Sequence, residues 1–292
     1  EEWWDAGDVL ERQGARERVR GNHREALALL ERALTYYAHG DWPADVASAS
    51  LETAESLEGL GHHARADSTY TVARARFVRA GDPAGEARVL EWWAMSILLR
   101  KGGNIGAAGH LDEAFVIRRR LGDLGGQSDV LRSLAYLAHI DGDYAGALAH
   151  ADSAYALAMR MPSPAKAALA LNVASAALFG AGRIDEAFAR LAESLTVFEE
   201  VGDKVQICDT LARTGQLHEA RGTLDRARAM YEQAVDVATA AGLDGSVADA
   251  LRSLAWVLHV EGRNDEAEAK ARRAMEIYDR LNNEWMSSGV LN

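Results

Sequence analysis

Only one cysteine, Cys208, occurs in 292 residues. That excludes an internal disulfide framework and a cysteine-built zinc site. There are four prolines, so long helices meet few breaks. Alternating runs of Val, Ile, Thr and aromatics are missing, and with them the signal for strands. No apolar stretch reaches membrane-spanning length. The opening, "EEWWDAGD", carries neither an initiator Met nor a signal peptide. It reads as a piece of something longer, with the cytoplasm as the expected compartment. Positive charge is in deficit: 32 Lys and Arg face 44 Asp and Glu, a formal net charge of −12. Such a chain is expected to be soluble and to ignore nucleic acid. What is abundant between the glycines is Ala, Leu, Arg and Glu, a helical composition. Hydrophobic residues make up 48%, enough to bury a core.

Glycines stand at 21, 61, 102, 142, 182, 222 and 262, in steps of 40, 41, 40, 40, 40 and 40. Five residues after each stands an alanine: Ala26, Ala66, Ala107, Ala147, Ala187, Ala227 and Ala267. Twelve after stand Ala33, Ala73, Ala114, Ala154, Ser194, Ala234 and Ala274. Seven before stand Gly14, Ala54, Met95, Ala135, Ser175, Gly215 and Ala255. Columns that stay in phase over so many periods mark tandem repeats. Between the glycines lies a second punctuation, such as "AGDPA", "LGDLG" and "VGDKV". Gly or Asn there supplies a left-handed helix end, and Asp or Ser the next N-cap. All four prolines fall in these joints. Each repeat is therefore a helix of about 16 residues, a glycine turn, a second helix and a short joint. The boundaries fall at 3–41, 44–82, 84–123, 126–162, 165–202, 204–242 and 246–282. Leu291 sits where the next leucine of the pattern belongs, so 284–292 reads as a partial repeat or capping helix. All of it, 1–292, is expected to form one repeat domain.

The small residue before the turn, the glycine and the two small residues after it resemble the tetratricopeptide repeat. "LAWVLHVEGRNDEAEAKARRAMEIY" and "ASAALFGAGRIDEAFARLAESLTVF" carry the pattern. The usual period is about 34. The step of 40 is similar to the repeats of kinesin light chains and of the sensor regions of bacterial signal-transduction ATPases. HEAT and armadillo repeats have a similar period but lack this small-residue column. The resemblance implies an all-α fold, a right-handed superhelical solenoid of about seven helix-turn-helix repeats. It also implies that the first helix of each repeat lines a concave groove.

Positions 13, 10, 6 and 3 before each glycine share one helical side, away from the packing side. In the third repeat these are Val89, Trp92, Ser96 and Leu99. In the fifth they are Leu169, Asn172, Ala176 and Phe179. The first two repeats place Asp8, Glu11, Arg18, Glu55 and Glu58 there. "LRSLA" occurs at 131–135 and again at 251–255. Its leucines, serine and alanine are packing residues, but its arginine faces the groove. Asp129, Arg132, Tyr136 and His139 thus match Asp249, Arg252, Trp256 and His259. Two readings stay open. The quartets are relics of duplication with exposed Asp–Arg pairs, or they are recognition stations in which Arg forks a carboxylate beside an aromatic wall. Likewise Trp92 and Phe179 either pack on the adjacent turn or meet a partner.

Catalytic chemistry is hard to find. His62, His63 and Asp67 in "HHARAD" are too few ligands for zinc. "QLHEARG" lacks the second histidine of the metalloprotease motif, and "KGGNIGAAGH" lacks the strand and lysine of a phosphate loop. Arg118, Arg119 and Arg120 read as one turn of solvated helix, and Trp3 and Trp4 as a cap on the first repeat. No cofactor or metal is expected. The expected function is a noncatalytic scaffold for a protein or peptide segment, with Trp92, Arg132, Tyr136, His139, Asn172, Phe179, Arg252, Trp256 and His259 as groove contacts. The arginines call for an acidic group on that partner; nucleic acid and membrane are not expected. The rival is the sensor or regulatory arm of a larger signalling enzyme (an ATPase, kinase or caspase-like peptidase). Self-association, or contact with a domain outside this chain, is a third alternative.

Overall fold

The computed structural model describes residues 2–100 and 106–281. Among these residues there are fourteen α-helices and no strand. They follow as pairs: α1 (Glu2–Val19) and α2 (His23–Tyr37), α3 (Pro43–Gly59) and α4 (His63–Ala80), α5 (Pro83–Leu99) and α6 (Ala107–Arg120), α7 (Leu124–Ile140) and α8 (Tyr144–Ala158), α9 (Ala165–Gly180) and α10 (Ile184–Val201), α11 (Lys204–Ala220) and α12 (Leu224–Ala240), α13 (Asp244–Val260) and α14 (Asn264–Arg280). The expected turn at Gly102 and the expected cap at 284–292 lie outside the described residues.

The turn glycines are there for their backbone angle. Gly61 has φ 74° and Gly222 φ 77°, and a Cβ at either would meet nothing within 4 Å. Space is available; the left-handed conformation is what excludes other residues. At Gly61 the chain closes the helix with two hydrogen bonds, Gly61 N–H to the Glu58 carbonyl and His62 N–H to that of Leu57, which satisfies carbonyls the helix leaves open. Three joints follow the predicted chemistry. Asp82, Asp123 and Asp203 accept from the backbone N–H of Gly85, Gly126 and Gln206 at 2.9, 2.8 and 3.2 Å, just after Gly81, Gly122 and Gly202 at positive φ. The first joint differs. Its Gly40 is not at positive φ, and Trp42 occupies the N-cap position without a side-chain cap. There Pro43, at the start of the helix, presets the angle instead.

The chain divides into two compact units, Glu1–Leu137 and Ala138–Asn292. Within the first, α1 packs on α2, α3 on α4 and α5 on α6, while α2 reaches α3 and α4 reaches α5. Ala47, Leu51, Ala54 and Leu57 of α3 meet Ala66, Tyr70, Ala73 and Phe77 of α4 and Val89 of α5. Within the second, Ala168 of α9, Phe198 of α10, Ile207 and Leu211 of α11, Ala234 of α12 and Ala250 of α13 form one cluster. No pair covers its own apolar face; the neighbouring pair does. The alanines five and twelve residues after the turn glycines are buried throughout, because helix backbones approach only where side chains are small. Ser194 holds one such place and donates to the Ala168 carbonyl at 3.0 Å, so its hydroxyl is paired. Cys208 is buried, and its thiol is pushed up by burial.

The third repeat corrects the predicted register. On α5 the buried residues are Gly85, Ala87, Val89, Leu90, Ala94, Ser96 and Leu98, which is the pattern of the other first helices moved by one position. Ala94, not Met95, takes the small-residue place. The step of 41 puts one extra residue between the packing positions Ala94 and Ala107, so α6 keeps phase with Gly102 while α5 does not. Val89 and Ser96 are therefore packing residues, and Glu91 and Met95 stand nearer the open side. Arg118 is a second correction. Its side chain is mostly buried and donates to Glu91 at 2.8 Å and Asp123 at 3.0 Å. At the start of the chain Trp4 packs on the cluster of Ala33 and Tyr37, and Trp3 stacks on His39.

Candidate functional site

In the first unit the C-terminal ends of α1, α3 and α5 and the middle of α7 enclose a cleft of about 720 Å³. Trp92, Met95 and Leu99 give it an apolar wall; Glu55, Glu58 and Arg100 give it charge. Trp92 is 45% exposed. Beside it lies a second cleft of about 410 Å³, lined among others by Asp8, Glu11, Asp45 and Glu52. The clefts exist because residues on this side of the first helices are not needed for helix packing.

Their charges are crowded. Only 9% of the Glu55 side chain is exposed. Its Oε2 lies 2.7 Å from Arg18 Nη1 as an ion pair, yet without the angle for a hydrogen bond. Arg18 also serves Glu52, at 2.6 Å. Burial, only partly offset by Arg18, pushes the Glu55 carboxyl up to about 7. Glu11 and Glu91 are also raised, burial being the largest cause in each. Arg100 is bound to Asp67 and to Glu58, and it holds the Asp67 carboxyl below its ordinary range. Asp67 also accepts from the Trp93 indole at 2.7 Å, and His63 lies 2.9 Å from Glu58. Among the described residues no group of three or more His, Cys, Asp or Glu stands ready for a metal ion.

A buried carboxyl with a raised pKa destabilises the fold once it ionises. For Glu55 that cost is absent below the unfolded value near 4.5, grows up to about 7 and is complete above it. One unit is worth about 1.4 kcal/mol. Glu55→Gln is therefore expected to stabilise the protein by up to about 3 kcal/mol at pH 8 and by almost nothing at pH 4. Urea titrations at the two pH values test this, and an equal effect at both would refute it.

A feature the repeat pattern did not signal is the use of buried tyrosines from second helices. Tyr37 donates to Glu11 at 2.7 Å, Tyr278 to Asp249 at 2.7 Å, and Tyr231 to Glu219. Each carboxylate belongs to a first helix, so the tyrosines fix groove-side acids from behind. The partners are 26, 29 and 12 residues apart, and only the folded helix pairs bring them together.

The two quartets differ for this reason. In the first, Arg132 Nη2 bonds Asp129 at 3.1 Å, and Arg132 Nε is buried without a hydrogen bond. His139 lies on α7 with its ring 5.6 Å from that of Tyr144. In the second, Asp249 accepts from Tyr278. Arg252 is exposed, Trp256 is 59% exposed, and His259 lies 2.9 Å from Asn264 Oδ1. Tyr136 and Phe179 are exposed as well. Asn172 is not. It is 4% exposed, and its amide donates to Thr210 Oγ1 at 3.0 Å. It is a core residue linking α9 to α11, which removes it from the predicted groove row. A polar residue at that position reads as groove-facing until the partner hydroxyl on the next first helix is in place.

The tetratricopeptide repeat family model matches residues 166–240 and 215–280. Among curated proteins, none matches the sequence. Solved structures do resemble the fold. A signal transduction ATPase with numerous domains from Pyrococcus horikoshii, which has a tetratricopeptide repeat sensor, aligns with TM-score 0.68 and 14% identity over 97% of this chain. The alignment spans 44% of that protein. A Rap protein complexed with Competence and Sporulation Factor aligns with TM-score 0.64 and 16% identity, over 94% of this chain and 75% of the other. A putative kinesin light chain from Podosopora anserina, with nearly identical TPR-like repeats, gives TM-score 0.56 and 14% identity, over 67% of this chain and 96% of the other. At these identities the likeness is one of fold. Residues 166–280 match the tetratricopeptide repeat model, and the glycine-centred columns and paired helices of the described residues resemble the long-repeat form of that family.

Proposed function

We propose that this chain is a noncatalytic scaffold that holds a protein or peptide segment on the open side of its first helices. The observation that carries the reading is the cleft of about 720 Å³ in the first unit. An apolar wall beside fixed charges suits a side chain of a partner better than it suits stacking. Tyr136 is exposed on α7 of the first unit, and within the second unit Phe179 and Trp256 are exposed on α9 and α13. Arg132 and Arg252 are the groups for an acidic residue of the partner, since guanidinium forks a carboxylate. The neighbouring fold that was solved with Competence and Sporulation Factor supports a ligand-holding role. A second reading, the sensor arm of a larger signalling enzyme, is favoured by the Pyrococcus neighbour, of which this chain spans under half. The two readings agree on the groove and differ in what it controls.

Arg132→Ala and Arg252→Ala are expected to weaken binding of a partner segment by about tenfold or more, ~1.4 kcal/mol. Arg273→Ala is the control, because Arg273 is exposed on α14 and, among the described residues, pairs within that helix, with Glu276 at 3.1 Å. The segment is to be recovered from the native host by affinity capture and titrated against all three at one salt concentration. If the control loses as much as the groove variants, or none loses anything, the arginines are duplication relics.

A further inference from the structure

We propose that the cleft of the first unit selects a positively charged residue of the partner, a Lys or Arg whose stem lies on Trp92 and Met95 and whose head reaches Glu55. This rests on the scaffold reading above and adds the chemistry of the residue taken.

Three observations converge on a cation. The first is the shape of the site. Trp92, Met95 and Leu99 form an apolar wall with carboxyls beside it, and a Lys or Arg side chain is apolar along its stem and charged at its tip. An indole face adds an attraction for the cation. The second is Glu55 itself. It is nine-tenths buried, with an oxygen that makes no hydrogen bond. The groups that face it are Arg18 from α1, Glu52 on its own helix, Arg88 from α5 and Tyr70 from α4. Of these Arg18 is shared with Glu52, so the local cations leave the carboxyl incompletely neutralised. The third is the surroundings. The adjoining cleft presents Asp8, Glu11, Asp45, Glu52 and Asp82 against Arg12 and Arg88, five acids to two arginines. An acidic residue of a partner would face this excess. Two more arginines line the cleft itself: Arg100, which already serves Glu58 and Asp67, and Arg132, on α7, whose Nη2 bonds Asp129 at 3.1 Å.

A cation arriving at Glu55 draws the carboxyl into its ionised form and displaces a proton. Binding should therefore tighten as pH rises through about 7, the value at which Glu55 titrates. A ligand carboxylate would do the reverse, because only the protonated carboxyl could donate to it.

The test is selection of a random nonapeptide library, displayed on its own mRNA, against the 292-residue chain at pH 8. The expected result is enrichment of peptides that carry one Lys or Arg next to a large apolar residue. The enriched peptide should bind Glu55→Gln about tenfold more weakly than the wild type. It should bind Arg273→Ala unchanged, and the wild type more weakly at pH 6 than at pH 8. Replacing its Lys or Arg by Gln should cost the same tenfold on the wild-type protein, a readout that needs no protein variant to fold. If no peptide is enriched, the scaffold reading and this proposal fall together. If peptides are enriched without a basic residue, or bind Glu55→Gln equally well, this proposal falls and the scaffold reading stands. Enrichment of acidic peptides that bind tighter at pH 6 also overturns it.

Discussion

Tyr231→Ala is expected to cost about 3–5 kcal/mol of stability, as large-to-small changes of buried aromatics do. Tyr231 is fully buried on α12. Its cluster holds Ala227, Leu254, Val257, Leu258 and Ala267, from three helices. Its ring also fills the space left by Gly215: a Cβ there would stand 2.6 Å from Tyr231 Cε1. Gly215 and Tyr231 are therefore one packing unit, a missing side chain on α11 matched to a large one on α12. Removing the ring opens a cavity that rigid helices close poorly. Tyr231→Phe separates ring from hydroxyl. It keeps the packing and deletes only the donor to Glu219, so its cost should be about 1–2 kcal/mol. Urea unfolding followed by circular dichroism distinguishes the two variants. Equal losses would mean that the hydroxyl, not the ring, holds this contact.

The second large effect comes from filling space where none exists. Ala187→Leu and Ala227→Leu are each expected to destabilise by up to about 3 kcal/mol. Both alanines are fully buried in helix contacts. Ala187 sits with Leu178, Leu191 and Leu217, and a larger side chain there must push α10 off a neighbour. Ala176 is the comparison. It lies on α9, one residue after the buried Ser175, and is only partly covered. Ala176→Leu should cost much less than either. The same unfolding experiment measures all three, and similar losses at the three sites would mean that the packing and open sides of the helices are wrongly assigned.

Much of the architecture can be read from spacing because its causes are local. A turn glycine is needed wherever the chain takes a left-handed step, and an alanine wherever two backbones touch. Gly222 and Ala227 carry those requirements in the sequence itself, as do Asp82, Asp123 and Asp203 at the joints. No helix among the described residues is long and apolar enough to cross a membrane. The charged rows of α1 and α3 were also visible, Glu11, Glu55 and Glu58 included.

What spacing left undecided depends on residues from other helices. The step of 41 told that one residue was extra but not on which side of the turn it belonged. Burial of Ala94 in place of Met95 settled that, because only one register lets α5 pack. Asn172 looked like a groove residue until Thr210, 38 positions away, proved to be its partner. The two "LRSLA" quartets look alike as strings, yet Tyr278 takes Asp249 while Asp129 bonds Arg132. The Glu55 carboxyl is ordinary in a list of residues. Its proton is held by burial and by Arg18 having two acids to serve, and both are consequences of how α1, α3 and α5 come together.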